Sequence, residues 1–270
     1  MSSPSTEHVT HDEQALAVVP AQRFRLFTTL NDHPQIAKIG ECIDRRMMRY
    51  VSPGTMIAKL VAALAESRAL PLKEVIESFE FVQCVRKWVR APQLADLCCG
   101  HGLVGLLFAA LERNVEQVIL LDQLRPPNHT LCLDAVAAAA PWVREKLQYV
   151  QAPLASALEY LAPGCSVVAV HACGARTDKV LELAIHHQSA LAVMPCCYRK
   201  ASNRAPLCLQ ERLGPALSAD IHRSYQLEAA GYRVSWSAIS PDITPMNRIL
   251  RARAPLSTPT PLPRRSARND

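Results

Sequence analysis

The clearest sign of chemistry in this sequence is a short apolar stretch that ends in a glycine-containing turn. The stretch begins at Leu94, carries Asp96, and leads through Cys98 to Gly100 and Gly102. Glycine adopts positive φ readily and lets a ligand approach the backbone closely. The apolar residues that follow favour a helix, so backbone N–H groups should face the turn. We expect a ligand here, with Asp96 organising the turn or meeting a cationic group of the ligand.

A second carboxylate follows at a spacing typical of nucleotide sites. The apolar stretch from Val118 ends at Asp122, twenty residues after Gly102. A carboxylate at that position can accept hydrogen bonds from both hydroxyls of a ribose. Taken alone, Asp122 could equally be a helix cap or a turn residue. The two motifs together favour a ligand that contains a ribose.

Short apolar stretches alternate with amphipathic segments from about residue 91, and this alternation predicts the elements that position both motifs. The predicted strands are 94–98, 118–122, 147–151, 167–171, 190–194, 232–239 and 246–251. The predicted helices are 103–113, 128–140, 153–161, 176–187 and about 215–230. Such alternation favours a parallel, doubly wound α/β sheet, whose ligands lie beyond the carboxyl ends of the strands. The last two strands are separated by a turn-like segment and predict a closing hairpin.

Outside this α/β region, the chain predicts a helical extension and two irregular ends. In the extension, apolar residues recur every three to four positions, as at Ile36, Ile39, Ile43 and Met47. The predicted division is a flexible N-terminus at 1–33, a helical extension at 34–90, the α/β domain at 91–253 and a disordered basic, proline-rich tail at 254–270.

The two motifs resemble motifs I and II of the class I S-adenosylmethionine (SAM)-dependent methyltransferases. The resemblance implies a Rossmann-like, mainly parallel seven-stranded α/β fold, SAM as cofactor, and methyl transfer as the activity. Cys98 stands where the family usually has glycine, and Gln151 corresponds to the family's adenine contact after the third strand. The cofactor-binding residues that the resemblance implies are Asp96, Cys98, Cys99, Gly100, His101, Gly102, Asp122, Gln151 and His171.

Two further segments, which end the fourth and fifth predicted strands, are similar to a subgroup of this family. The first contains a His-x-Cys-Gly-x-x-Thr-Asp pattern that begins at His171, and the second contains the adjacent pair Cys196 and Cys197. This pairing resembles the core of the eukaryotic tRNA ribose 2′-O-methyltransferases, and the resemblance covers about residues 91–200. It implies an RNA acceptor. The candidate catalytic residues are His171, Cys173, Asp178, Cys196, Cys197 and Tyr198.

All of these side chains except Asp178 follow the carboxyl ends of predicted strands and should therefore gather near the methyl group of SAM. Four roles remain open for the set. The cysteines could only shape a pocket, as small hydrophobic side chains. His171 or Asp178 could orient or deprotonate a nucleophilic hydroxyl or nitrogen. His171 and three thiols could bind zinc, or a cysteine thiolate could be the nucleophile. Because the spacing matches no standard zinc finger, and because adjacent cysteines are awkward co-ligands, we predict no metal site.

Composition narrows the class of protein. The 270 residues are 49% hydrophobic but only 5% aromatic, which favours helices packed on a buried sheet. We find no apolar run of about 18 residues and no secretory signal pattern, so we expect a cytoplasmic protein without a membrane span. Ten cysteines, including two adjacent pairs, should be reduced thiols and not a disulfide framework.

The leading prediction is SAM-dependent methyl transfer, with RNA favoured as the acceptor. The net charge is +6, and the last twenty residues hold five arginines and one acid. That tail and the basic segment 199–204 could steer an anionic substrate. A small-molecule or protein acceptor is the first alternative. A non-catalytic scaffold or RNA-binding module with this fold is the second, and a nicotinamide-linked dehydrogenase is the third.

Overall fold

A computed structural model describes residues 23–38, 40–198 and 203–254, and within this part of the chain seven strands form one sheet. The strands are β1 (Gln93–Leu97), β2 (Gln117–Asp122), β3 (Leu147–Gln151), β4 (Ser166–Val170), β5 (Ala190–Met194), β6 (Arg233–Ala238) and β7 (Arg248–Arg253). The α-helices are α1 (Met56–Ser67), α2 (Leu72–Val85), α3 (Leu103–Leu111), α4 (Asn128–Ala139), α5 (Val143–Lys146), α6 (Ala175–His186) and α7 (Leu207–Ala229). No helix of the described residues is long and apolar enough to cross a membrane.

The strand order is β3-β2-β1-β4-β5-β7-β6. Strands β1 to β5 pair in parallel, whereas β7 runs antiparallel to both β5 and β6. This arrangement confirms the predicted Rossmann-like, mainly parallel seven-stranded sheet and its closing hairpin. In the usual dinucleotide-binding sheet a parallel sixth strand lies beside the fifth. The antiparallel β7 takes that place here, which disfavours the dehydrogenase alternative.

Apolar side chains pack against both faces of the sheet and form two cores. Leu94 of β1 and Leu120 of β2 lie in the core under α1 to α5. Their neighbours Ala95 and Ile119 lie in the core of the opposite face, under α6 and α7. Buried strands with apolar side chains on both faces are typical of parallel sheets. The carboxyl ends of β1, β4 and β5 therefore meet at one edge, between two packed helical layers.

The described part of the N-terminus packs against the body of the protein, although the sequence predicts flexibility through residue 33. Residues 1–22 lie outside the described residues. Phe24, Phe27 and Leu30 are buried in the same core as α2 and α3. Glu80 of α2 is also fully buried, and its carboxylate accepts backbone N–H bonds from residues 25, 26 and 27 at 2.9–3.0 Å. These three hydrogen bonds to one carboxylate hold the segment against α2.

Replacing Glu80 with alanine is expected to lower the free energy of unfolding by about 3 kcal/mol, because three backbone N–H groups lose a charged acceptor. Urea unfolding followed by circular dichroism measures the change. Glu66→Ala is the control, since Glu66 forms an exposed ion pair with Arg45 and should cost about 0.5 kcal/mol or less. Equal losses in the two variants would contradict this account of the N-terminal anchor.

Three predicted helices differ from the structure. The segment from Ile36 to Met47 is not one helix: Ile36 and Met47 lie in two separate 3-10 helices, Pro34–Lys38 and Arg45–Tyr50, and Ile43 lies between them. Ile39 lies outside the described residues. The predicted helix at 153–161 is a 3-10 helix, Leu154–Glu159. Helix α7 begins before the predicted residue 215, and it is kinked because Gly214 has φ 75° and Pro215 lacks a backbone N–H.

Candidate functional site

The turn after β1 adopts the backbone conformation that the glycine motif predicts. Gly100 and Gly102 have φ of 53° and 78°. Cys98, which stands at the family's usual glycine position, also lies in the left-handed backbone region, with φ of 58°. A non-glycine residue pays a strain of about 1 kcal/mol or more in this region, and such strain is concentrated at functional sites. The turn is closed by the Gly102 N–H, which donates to the carbonyl of Cys99 at 2.8 Å.

Asp96 joins this turn to the start of α3. Its Oδ2 accepts the N–H of Gly105 at 2.9 Å, and the side chain is buried. Gly105 allows the close approach, because a Cβ there would overlap Cδ2 of Leu120 and lie 3.3 Å from the Cβ of Asp96. Burial raises the pKa of Asp96 to about 7, although the Gly105 hydrogen bond opposes the shift. Asp96 therefore organises the turn, which is the first of its two predicted roles.

Asp122 holds the same turn from the end of β2. Its Oδ2 accepts the N–H of Gly100 at 2.9 Å. The residue also lines a cavity of about 300 Å³ together with Cys98, Pro153 and Arg176. The structure thus gives Asp122 a turn-holding contact and a place beside a cavity that could receive a ribose. Gln151 lies exposed at the end of β3 and does not line this cavity.

Tyr149 on β3 completes the frame of the turn, and the sequence did not single it out. Its hydroxyl lies 3.0 Å from the Gly100 carbonyl and 3.2 Å from the Leu124 carbonyl. The ring meets His129 edge-on, with centroids 4.5 Å apart. A tyrosine in a five-residue strand gives no signal of this contact, because strand pairing brings it to the turn from 49 residues away.

A larger cavity of about 380 Å³ lies between this turn and helix α2. Its walls combine the predicted cofactor residues with two acids of α2, Glu74 and Glu77, that the sequence analysis missed. Both cavities share Cys98. The lining residues are Gly40, Pro71, Lys73, Glu74, Glu77, Ser78, Asp96, Cys98, Cys99, Gly100, His101, Val104, Val170 and His171.

Each of the two acids contacts a histidine across the cavity wall. Glu74 lies 3.1 Å from Nε2 of His101, whose Nδ1 accepts the Leu103 N–H at 3.2 Å. The hydrogen bond from His101 is the main cause that lowers the pKa of Glu74. Glu77 lies 3.2 Å from Nε2 of His171. The carboxylates make this cavity suited to a cationic ligand.

The pair of Glu77 and His171 is the most unusual feature of the cavity. The Glu77 side chain is 3% exposed, and its Oε1 is buried without a hydrogen-bond partner among the described residues. His171 is 43% exposed and has φ of 63°, a strained value for a residue other than glycine. Its backbone N–H donates to Met194 at the end of β5, at 3.1 Å. An unpartnered buried carboxylate oxygen calls for a functional explanation.

Asp178 and Tyr198, two predicted catalytic residues, instead belong to a buried network that supports the loops after β4 and β5. Asp178 accepts from Nε of Arg223 at 2.7 Å, and Arg223 also pairs with Asp220 at 3.3 Å. The Tyr198 hydroxyl donates to Asp220 at 2.8 Å, and Arg248 binds the same acid at 2.9 Å. Because its carboxylate is held by Arg223, Asp178 is poorly placed to act as the predicted base.

The other three predicted catalytic residues, Cys173, Cys196 and Cys197, are brought together. The sulfur of Cys196 lies 2.9 Å from that of Cys173 and 3.4 Å from that of Cys197. Burial raises the pKa of Cys173 and of Cys196, and it raises the pKa of Cys98 to about 11. These groups are therefore thiols at neutral pH, which disfavours the role of a thiolate nucleophile.

The residues around the two cavities fit SAM, the cofactor that the resemblance implies. Asp122 offers a carboxylate beside the smaller cavity, where a ribose would bind. The backbone of the turn from Cys98 to Gly102 and the acids of the larger cavity suit the zwitterionic amino-acid part and the sulfonium. The larger cavity has the size of a small-molecule pocket, which begins at roughly 300 Å³.

Comparison with known proteins agrees with this arrangement. A family described as "Methyltransferase domain" matches residues 71–204, a span that includes α2 with its two acids and ends after β5. A curated protein of Xenopus laevis, "Glutathione S-transferase C-terminal domain-containing protein", is 31% identical over 106 residues. The aligned segment is 39% of this chain but only 16% of that relative.

Solved structures with similar folds are distant in sequence. A candidate O-methyltransferase from Klebsiella pneumoniae is 13% identical, with a TM-score of 0.46, and the match covers 81% of this chain and 99% of that one. A SAM-dependent methyltransferase from Aquifex aeolicus is 11% identical, with a TM-score of 0.41, and the match covers 66% of this chain and 90% of that one. Residues 71–204 therefore match a methyltransferase domain, which includes strands β1 to β5 of the sheet.

Proposed function

We propose that this chain transfers the methyl group of SAM to RNA, and that His171 takes the proton from the acceptor. The observation that carries the proposal is the 3.2 Å contact between Nε2 of His171 and the buried Glu77, on the wall of the larger cavity. Histidine is the side chain most often used for proton transfer, and a carboxylate on one ring nitrogen orients the other.

The geometry supports different roles for His171 and Glu77. The Glu77 carboxylate is an acceptor, so Nε2 of His171 carries its hydrogen and Nδ1 is the basic nitrogen. When Nδ1 takes a proton from a hydroxyl or amino group, the charge of Glu77 stabilises the imidazolium that forms. His171 is then the catalytic residue, and Glu77 is a positioning residue.

Other residues of the chain bind SAM and orient it. Asp122 accepts the ribose hydroxyls, the turn at Gly100 and Gly102 holds the amino-acid part, and Asp96 meets the ammonium group. Bound SAM supplies an electrophilic methyl group on a positive sulfonium. Because that group is already reactive, alignment of donor and acceptor should supply most of the rate enhancement.

The choice of RNA as acceptor rests on the subgroup resemblance and on cationic side chains near the strand ends. Arg176 and Lys179 lie on the first turns of α6, on the wall of the smaller cavity. Arg204, which is exposed, is the last residue of the basic segment and lies 3.7 Å from Glu182 of α6. Cationic side chains of this kind provide the phosphate contacts on which most RNA affinity depends. Residues 199–202 lie outside the described part of the chain.

A methyl-transfer assay tests this proposal. The protein is incubated with methyl-labelled SAM and, separately, with total RNA, a protein extract or a metabolite extract, and labelled RNA is digested to nucleosides for mass spectrometry. We expect label in RNA, and its loss in the His171→Ala variant. Label confined to protein or to metabolites would overturn the RNA acceptor, and a variant as active as the wild type would overturn the role of His171.

Asp96 should make the affinity for SAM depend on pH. Its pKa of about 7 means that the carboxyl is largely protonated below that pH, and only the ionised form attracts an ammonium group. Affinity should therefore rise up to about tenfold per pH unit as the pH increases toward 7, and level off above it. Calorimetry from pH 5.5 to 8.5 measures the slope, and Asp96→Asn should abolish it, leaving only the titration of the ligand. An unchanged slope in that variant would contradict the assignment.

A further inference from the structure

The three cysteines that follow β4 and β5 form a compact cluster of sulfur atoms. Cys173 comes from the loop after β4, whereas Cys196 and Cys197 come from the loop after β5, 23 residues further along the chain. Their three sulfurs lie within 4.8 Å of one another. This is the one group of three such ligands found among the described residues. The fold, and not a local sequence motif, brings these sulfurs together.

The two loops are fastened to each other and to a buried ionic network. The Gly174 N–H donates to the carbonyl of Cys197 at 3.3 Å, which ties one loop directly to the other. Arg223 lies 3.5 Å from the Gly174 carbonyl, and it is itself held by Asp178. Tyr198, the neighbour of Cys197, bonds to Asp220 of the same network. The loops that carry the sulfurs are therefore held by hydrogen bonds and by buried ion pairs, as a preorganised ligand set requires.

We propose that Cys173, Cys196 and Cys197 bind one zinc ion through three thiolates, with the fourth coordination position open to water or to the acceptor. Zinc prefers thiolate ligands in a tetrahedral arrangement with Zn–S distances of about 2.3 Å, which places neighbouring sulfurs about 3.8 Å apart. The observed separations of 2.9 Å and 3.4 Å require a shift of only about 1 Å, within the reach of side-chain rotation. Binding replaces the hydrogen of each thiol, so one Zn²⁺ releases three protons and forms three Zn–S bonds.

This site departs from the expectation of no metal that the sequence gives. In zinc fingers, pairs of ligands lie a few residues apart in one short segment of the chain. Here the ligands instead follow the ends of two parallel strands, so their spacing in the sequence does not predict the site. Three protein ligands and an open position are typical of catalytic zinc and not of structural zinc. Cys173 lies two residues after His171, so the ion would lie beside the residue that we assign as the base.

Metal content and cobalt spectroscopy test the inference on the full chain. Protein purified under reducing conditions is loaded with zinc, dialysed and measured by mass spectrometry of the metal. We expect one zinc per chain in the wild type and in the control Cys208→Ser, whose exposed cysteine lies outside the cluster. The Cys173→Ser variant should bind zinc at least tenfold more weakly in competition with a chromophoric chelator.

Cobalt provides a readout that does not depend on a variant that folds. Cobalt(II) bound to the wild type should show the intense visible bands of a tetrahedral site and the near-ultraviolet thiolate charge-transfer bands. A reduced wild type that binds no zinc, or a cobalt spectrum without thiolate bands, would overturn the proposal. A wild type that oxidises to a Cys173–Cys196 disulfide and binds no zinc after reduction would also overturn it.

Discussion

Replacing His171 with alanine is expected to lower kcat about 10²- to 10⁴-fold, the usual contribution of a positioned general base. The affinity for SAM should change by about threefold or less, because the ribose and amino-acid contacts come from other residues. Steady-state kinetics and calorimetry on the same preparation separate the two effects. His186→Ala is the control, since His186 is an exposed histidine at the end of α6. A loss of SAM affinity that matches the loss of kcat would contradict the role of a base.

The proposed role of Glu77 in positioning His171 can be tested with a substitution of Glu77 itself. Glu77→Gln keeps the size of the side chain but removes the charge that stabilises the imidazolium, so the pH–rate profile should move while the fold is kept. If Glu77 only packed against the helix layer, kcat would fall without any change in that profile. The contact with His171 and the unpartnered Oε1 predict the first result.

Replacing Arg223 with alanine is expected to destabilise the protein by about 3–5 kcal/mol, the cost of leaving buried carboxylates without their partner. The Arg223 side chain is 5% exposed and joins Asp178 to Asp220, which are equally buried. Asp220 keeps Arg248 as a partner, but Asp178 would keep none of the ion pairs described here. Chemical denaturation measures the change in the free energy of unfolding.

The control for this prediction is Arg144→Ala. Arg144 forms an ion pair with Asp134 in which both side chains are more than half exposed, and surface pairs contribute about 0–1 kcal/mol. The control should therefore unfold nearly as the wild type does. If Arg223→Ala were as stable as the control, the network would not hold the loops after β4 and β5, and the support for the cysteine cluster would weaken with it.

The sequence predicted the sheet well because its signals are local. Short apolar stretches located all five parallel strands within one residue of their bounds. The helical signals before residue 91 were less informative, since two 3-10 helices produce the same apolar recurrence as one α-helix over the residues from Ile36 to Met47. The anchoring of the N-terminal segment by Glu80 could not be predicted, because it joins residues more than 50 positions apart.

The site was predicted in part, and the missed residues share one physical reason. The turn at Gly100 and the acid at Asp122 carry a spacing that reflects one strand–turn–helix unit. Glu74 and Glu77 occur on an amphipathic helix, where acids are usually solvated, and only tertiary packing shows that they line the cavity. The reverse holds for Asp178. Its position in a motif predicted a catalytic role, but in the structure its carboxylate forms a buried ion pair with Arg223.

The most direct test of SAM-dependent methyl transfer by this chain is the binding of SAM, measured by calorimetry on the wild type and on Asp122→Ala. We expect the wild type to bind SAM and the variant to bind it about 10- to 100-fold more weakly, roughly the loss of charge-assisted hydrogen bonds. Circular dichroism on both proteins checks that the turn held by the Gly100 contact has not unfolded the domain. A folded wild type that binds no SAM at millimolar concentration would contradict the account and favour a non-catalytic scaffold with the same fold.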